Sequence, residues 1–407
     1  MKKLLFIISL LISCAVLYNA MSTIIQRFDY QAAFTINPLN NRARIRYLYS
    51  NLAPDTKPDL TEKLMKVAKA GSRIDPYDAR FYSIMGMIED LEGNTDSSQD
   101  LYIHALQLIK TEQFALIGRF VYHFNKGNYL AATKISELIY LRWKNHWPII
   151  EPYLPVMLSD EAAYAEVRDE FPLNGQGLQI LMLSLRKSSK GLDIAQRLLI
   201  DWHQAGKPGV DAMVARINPF LVRAGRNAEA YRLFLLTLDE ERRKAAGYVF
   251  DSSFDFEAGA NPFDWRFKRQ SGVDLSLKKT GRKNLDDKSL QIKFLKKPVN
   301  FRDVNQNIRL HAGEFKLEVI YKNRDVKGPN PVMVGVFCAG QPKPLSQVAL
   351  EKSNLQEQSV STVFRVPNEK CDLQTVTVFN DNFSKSWTNL YSGTLLIHDI
   401  RIELTGG

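Results

Sequence analysis

Cysteine and histidine are both scarce in this chain. Three cysteines in 407 residues cannot build a disulfide framework. The six histidines (His104, His123, His146, His203, His311 and His398) are dispersed, and none sits at metal-ligand spacing. There is no Gly-x-Ser-x-Gly elbow, no phosphate loop ending in Gly-Lys-Ser/Thr, no His-Glu-x-x-His, no Cys-x-x-Cys and no dinucleotide fingerprint. Acyl transfer, phosphoryl transfer, zinc hydrolysis, dithiol exchange and hydride transfer therefore have no signature here. The expectation is a non-enzymatic protein with no cofactor and no metal. Carboxylate pairs such as Asp251 and Asp255 occur; a glycosidase needs two carboxyls facing each other across a cleft, and sequence does not place these.

Long blocks of one charge are also missing. The net charge is +10 and the pI about 9.3, a balance that favours acidic partners. The basic clusters, Arg242-Arg243-Lys244 and Lys278-Lys279, are short and carry no interleaved aromatics of the kind that stack on single-stranded bases. A solubilising role is expected, and no nucleic-acid partner.

What is present begins at the N-terminus. Lys2 and Lys3 precede an apolar run from Leu4 to about Tyr18, the pattern of an export segment. Three fates are open. Cleavage near Tyr18-Asn19-Ala20 would follow a poor site. Lipidation would follow cleavage before Cys14, since Leu11-Ile12-Ser13-Cys14 resembles a lipobox. Retention as an anchor is the expectation, because about 22 mostly apolar residues up to Ile25 can cross a hydrocarbon core of roughly 30 Å. Arg27, Arg42, Arg44 and Arg46 follow the segment and blur its orientation. Each fate places the bulk of the chain outside the cytoplasm. The expected location is the cell envelope, anchored in the inner membrane with the bulk in the periplasm, or a lipoprotein through Cys14. In such a compartment Cys338 and Cys371 are candidates for one disulfide, the alternative being two buried thiols.

From about Leu39 to Gly247 apolar residues recur at three- and four-residue steps, as in Ile84–Ile88, Leu101–Ile109, Leu178–Leu185, Ala195–Trp202 and Ala228–Leu238. Breaks carry Gly, Asn, Asp or Pro: Asp75-Pro76, Gly93-Asn94, Gly127-Asn128, Gly206-Lys207-Pro208 and Gly225-Arg226-Asn227. Gly93, Ser98 and Ala105 are followed 34 positions later by Gly127, Ala132 and Ile139. With Tyr82, Met85-Gly86 and Tyr102 in one unit, and Gly225, Glu229-Ala230-Tyr231 and Phe234 in a later one, this stretch resembles the tetratricopeptide repeat family. The resemblance implies helix pairs that stack into a solenoid and bind a protein partner. Residues 146–175, with Pro148, Pro152, Pro155 and Pro172, depart from the repeat and read as an irregular connection or a short helix pair.

After about Tyr248 the apolar period becomes two. Phe315, Leu317, Val319 and Tyr321 alternate with Lys316, Glu318, Ile320 and Lys322. Further runs lie at Leu290–Phe294, Val304–Ile308, Val332–Cys338, Val360–Val366, Val376–Val378 and Leu395–Leu404. Eight to ten short strands predict an antiparallel β-sandwich or jelly roll. The segments Asn261-Pro262-Phe263-Asp264-Trp265, Gly313-Glu314-Phe315-Lys316-Leu317, Phe364-Arg365-Val366-Pro367 through Cys371, and Ser392 through Ile400 resemble carbohydrate-binding-module-like jelly rolls, also called galactose-binding-like domains. Combined with tetratricopeptide units, the resemblance implies a role in cell-surface polysaccharide systems. Asp399 falls where related jelly rolls often carry a calcium ligand, but apart from Asp255 and Glu257 no acidic set accompanies it.

The expected architecture is therefore α then β: a membrane-anchor segment over 1–27, a tetratricopeptide-like solenoid over 28–247 and a jelly-roll sandwich over 248–407. The expected partners are an envelope protein on the helices, polysaccharide on the sandwich and the membrane at the N-terminus. An adaptor that binds protein alone is the rival. Sugar binding needs a planar aromatic and polar side chains. Trp387 and Tyr391 in the polar stretch Asn380–Ser392, with Arg324 in a loop after the strand ending at Tyr321, are the expected glycan residues. Trp265, bracketed by Phe263 and Phe267, is expected in the core.

Overall fold

A computed structural model of the chain describes residues 2–170, 175–281, 287–353, 356–380 and 390–405, with side chains placed from 8 onward and again from 179. The chain divides into two compact units, Met1–Gly177 and Leu178–Gly407.

The first unit is helical. It opens with α1 (Lys2–Ile25), α2 (Tyr30–Ile36), α3 (Asn41–Asn51) and α4 (Pro58–Ile74). Two hairpins follow, α5 (Ala79–Leu91) with α6 (Thr95–Leu108), and α7 (Gln113–Asn125) with α8 (Tyr129–Arg142). The paired helices begin 34 residues apart, as the glycine spacing predicts: Ala79 and Gln113, Thr95 and Tyr129. Starts are set by side-chain caps. Asp29, Asn40, Asp78, Glu112 and Asn128 each accept a hydrogen bond from a first-turn N–H. Gly93 and Gly127 close the two hairpins at positive φ, where a side chain would be strained.

Large-against-small packing joins the hairpins. The fully buried Tyr102 ring lies between Gly86 and Gly118, where an added Cβ would come within 2.6 and 2.3 Å of it. Its hydroxyl donates to Asp90 Oδ2 at 2.7 Å. Phe81 sits against Gly71 in the same manner. The buried Glu112 carboxylate accepts from Ser83 Oγ at 2.5 Å and from the Ala115 N–H at 2.7 Å. Burial nevertheless raises its pKa above the ordinary range, opposed by those bonds. Beyond α8 the prolines break the helix into short turns: α9 (Trp147–Ile150) and α10 (Leu154–Met157), each with a proline in its first turn, then α11 (Glu161–Asp169). Pro172 lies outside the described residues.

The second unit opens with helices α12 (Gly175–Leu185), α13 (Ser189–Gln204), α14 (Val210–Arg223), α15 (Asn227–Leu236) and α16 (Glu240–Lys244). These belong with the sheets because they share packing with them. Tyr231 and Phe234 meet Phe263 at centroid distances of 5.1 and 5.6 Å, and Arg242 Nη2 pairs with Asp264 Oδ1 at 2.5 Å. Among the described residues ten strands follow: β1 (Arg266–Phe267), β2 (Val273–Lys279), β3 (Lys288–Pro298), β4 (Val304–Ile308), β5 (Gly313–Lys327), β6 (Val332–Cys338), β7 (Pro344–Ala349), β8 (Gln358–Val366), β9 (Gln374–Asn380) and β10 (Leu390–Leu404).

They form two antiparallel sheets of five, ordered β1-β4-β9-β6-β7 and β2-β3-β10-β5-β8. Every second residue points inward. Val304, Ile308, Val334, Val336, Val376 and Val378 of the first sheet meet Leu290, Ile292, Phe315, Leu317, Val319 and Ile397 of the second in one core. Trp265 lies in this core, and its indole N–H donates to the Asp251 carbonyl at 2.9 Å. Cys338 and Cys371 are joined as a disulfide across 33 positions of chain.

Candidate functional site

Sheet register decides which side chains share the outer face of β1-β4-β9-β6-β7. Opposed pairs Arg266–Asn305, Asn305–Thr377, Thr377–Gly335 and Gly335–Gln347 form one continuous row across all five strands. On one side of it runs Asn307–Thr375–Phe337, and on the other Phe379–Met333–Ala349. Neighbouring strands lie about 4.8 Å apart, so the row presents amide, hydroxyl and guanidinium groups at sugar-ring dimensions. The groups are held in place: Thr375 Oγ1 donates to Asn307 Oδ1 at 3.1 Å.

Gly335 interrupts the polar row: it is buried, and the Phe379 and Phe337 rings close over it. A Cβ there would come within 3.0 Å of Phe379 and 3.1 Å of Phe337. Those two rings form a small satellite cluster with Met333, edge to face at 5.4 Å. They are only 2% and 7% exposed, and the Arg302 guanidinium lies over both, 5.2 and 5.7 Å from their centroids. What faces outward here is therefore a guanidinium backed by aromatic rings. Arg266 and Arg302 are both exposed, and neither is paired with a carboxylate among the described residues.

The residues expected from sequence lie elsewhere. Trp387 is outside the described residues. Tyr391 is fully buried: its ring packs against Phe294 at 5.3 Å and fills the space over Gly328, and its hydroxyl donates to the Asn330 carbonyl at 2.9 Å. No ring face is left for a sugar. Arg324 is exposed but not in a loop, because β5 runs on to Lys327 and holds it opposite Thr394 on the outer face of the other sheet. The described structure brings neither residue to the polar row.

Catalytic arrangements fare no better. Ser289 Oγ lies 2.6 Å from His398 Nδ1, and His398 Nε2 lies 3.9 Å from Glu357. This looks like a hydroxyl–imidazole–carboxylate trio, but Ser289 and His398 are both buried, so the hydroxyl cannot reach a substrate. Among the described residues no group of three or more His, Cys, Asp or Glu could hold a metal ion. Near Asp255 and Glu257 the place of a cation is taken by the Lys288 ammonium, 2.9 Å from the Asp255 carbonyl and 3.7 Å from Glu257. Asp399 is instead paired with Arg401.

Asp251 is buried beneath this loop, and burial pushes its pKa up to about 7 although the Asp255 and Phe256 N–H groups donate to its carboxylate. It also adopts positive φ while its carbonyl holds Trp265. These bonds tie the loop to the core tryptophan.

In the first unit, α4, α5 and α6 border an open groove of about 430 Å³ lined by Met65, Lys69, Tyr82, Met85, Asp100 and His104. Tyr82 and His104 meet edge to face at 4.3 Å along it. Its mixed apolar and charged lining suits a peptide more than a small apolar molecule.

No protein-family model and no curated protein matches the chain. Solved structures are similar over its later part. A CBM4 structure is 13% identical, with 39% of this chain and 99% of that one covered and a TM-score of 0.30. TmCBM61 in complex with β-1,4-galactotriose is 14% identical, with 39% and 99% covered and a TM-score of 0.27. The CBM22-1 xylan-binding domain of Paenibacillus barcinonensis Xyn10C is 11% identical, with 38% and 93% covered and a TM-score of 0.26.

Proposed function

We propose that the protein is a non-enzymatic envelope scaffold that holds a glycan on the outer face of the β1-β4-β9-β6-β7 sheet and a protein partner on its tetratricopeptide-like helices. The observation that carries the glycan half is the register row Arg266, Asn305, Thr377, Gly335 and Gln347, polar at every position but the glycine. A polymer lying across the strands meets amides that both donate and accept, at a spacing set by the sheet. Arg266 and Arg302 favour a polymer bearing carboxylate or phosphate, because a guanidinium binds either through paired N–H groups. The peptide-sized groove along α4–α6 supports the protein half. The N-terminal apolar helix and the disulfide support an extracytoplasmic location.

The test is affinity electrophoresis of the detergent-solubilised full chain through gels containing neutral or acidic polysaccharides. Retardation by an acidic polymer is expected, weakened by salt and by Asn305→Ala with Asn307→Ala, which remove outward polar groups from the face. Trp387→Ala and Arg324→Ala, run alongside, report on two of the three residues that sequence reasoning favours. Retardation that responds only to Trp387→Ala would move the site away from the sheet face. No retardation by any polymer would leave the rival reading, a pure protein-interaction adaptor.

A further inference from the structure

The N-terminal helix is not a free tether. Within the helical unit the last two turns of α1 are joined to α2 and α3 by a closed set of polar bonds. Ser22, fully buried, donates to the Ala33 carbonyl at 2.8 Å and accepts from Asn40 Nδ2 at 2.8 Å. Asn37 Nδ2 donates to Asn19 Oδ1 at 2.6 Å, and Tyr18 donates to the Ile36 carbonyl. Cutting the chain near Ala20 would remove Tyr18 and Asn19 and strip the buried Asn37 of a partner.

The lock also fixes where a bilayer can lie. The stretch free of it, Leu4 to Leu17, is about 21 Å long at 1.5 Å per residue. That is short of the roughly 30 Å a span requires. Spanning therefore draws the locked turns, and α2 and α3 with them, into the headgroup layer. The open side of the same turns suits this. Leu17, Met21 and Ile24 form an exposed apolar stripe that Phe28 (88% exposed) continues, with Leu39 (74% exposed) next to the locked Asn40. Arg27, which adjoins Phe28 in sequence, and Arg42 and Arg46 of α3 are exposed, and Arg46 lies over the Tyr30 ring at 5.9 Å. The one nearby acid on this stretch, Asp29, is engaged as the α2 cap at 2.9 Å.

We propose that α1 is a retained membrane helix built into the helical unit, and that the surface bearing Phe28, Leu39, Arg27, Arg42 and Arg46 is seated on an anionic bilayer. Apolar side chains enter the interface while the guanidiniums meet lipid phosphates. The seat stands or falls separately from glycan binding.

The test reconstitutes the full chain into vesicles of brominated phosphatidylcholine, with or without phosphatidylglycerol. Single tryptophans are introduced as Phe28→Trp, Leu39→Trp and, as a control on an exposed loop of the same unit, Tyr77→Trp. Bromolipid quenching in excess of the parent chain is expected at 28 and 39, absent at 77 and stronger with phosphatidylglycerol. Emission at 28 and 39 that is shifted blue but not quenched would mean that protein, such as a second copy, covers the surface, and would overturn the proposal. Quenching no greater than at 77 would overturn it too. The intact mass of the chain extracted from its own membranes gives the second reading. A full-length mass supports the retained helix, whereas a chain beginning at an acylated Cys14, which lacks the span, or after Ala20 overturns it.

Discussion

The helical hairpins and the sandwich solve the same packing problem in opposite ways. In the hairpins every important contact is made within or between adjacent helix pairs, and a single large side chain, Tyr102, is gripped by glycines of two successive hairpins. Stability there is local and additive between neighbours. In the sandwich, partners come from far apart in sequence: β10 lies between β3 and β5, and β9 between β4 and β6. That arrangement needs a closed inner core and is reinforced by the Cys338–Cys371 bond. Because the inner faces carry the stability, the outer face of β1-β4-β9-β6-β7 is free to hold Asn, Thr, Gln and Arg in a fixed row. The difference teaches where function can sit: on grooves between helices in one region, and on the exposed polar part of an outer sheet face in the other.

If the hairpins depend on the tyrosine wedge, Tyr102→Ala should cost about 3–5 kcal/mol, the range for deleting a buried aromatic. Peptide-resolved hydrogen exchange should show protection lost over 79–142 and kept over 290–404. Equal loss in both regions would break the contrast. The reverse pattern is expected for the paired Cys338→Ala and Cys371→Ala change, which should cost the sandwich about 3–4 kcal/mol by releasing a loop of this length in the unfolded chain. The third prediction concerns pH. Asp251 holds its proton more tightly folded than unfolded, so the second unit should lose stability as pH rises from about 4 to its folded pKa of about 7. Asp251→Asn should flatten that slope, with an effect on the order of 2–4 kcal/mol between the two ends. Denaturant midpoints across this range check it, and an unchanged slope would contradict the burial argument. The smallest effect on stability belongs to the face: Asn305→Ala with Asn307→Ala should shift it by under about 1 kcal/mol, since both side chains are outward-facing.

Much of this plan was legible in the residues. The spacing of Gly93 and Gly127 carried the hairpin period, because the tight turn inside each helix pair places a residue at positive φ. The alternation in β5 carried the sandwich, because the inward residues are flanked by polar ones at every step but Ile320. The candidate face was not legible, for a physical reason. In Val332–Cys338 the outward residues Met333 and Phe337 are as apolar as the inward valines, since they make a second cluster with Phe379, so alternation says nothing about which side is which. Register, not pattern, aligns Asn305, Thr377 and Gln347. Tyr391 misled for a related reason: it follows a polar stretch, yet β10 already begins at Leu390 and the Gly328 opposite leaves room for its ring. β7, starting at Pro344 and carrying Ser346 and Gln347, has too little alternation to stand out.

The most direct test of the central claim is calorimetric titration of the full chain with the acidic polysaccharide that retards it most, comparing the parent with the Asn305→Ala, Asn307→Ala variant. The account predicts at least a tenfold loss of affinity, about 1.4 kcal/mol, with the fold intact by hydrogen exchange and with affinity falling as salt rises. Unchanged affinity in a folded variant would contradict it and take the glycan off this face.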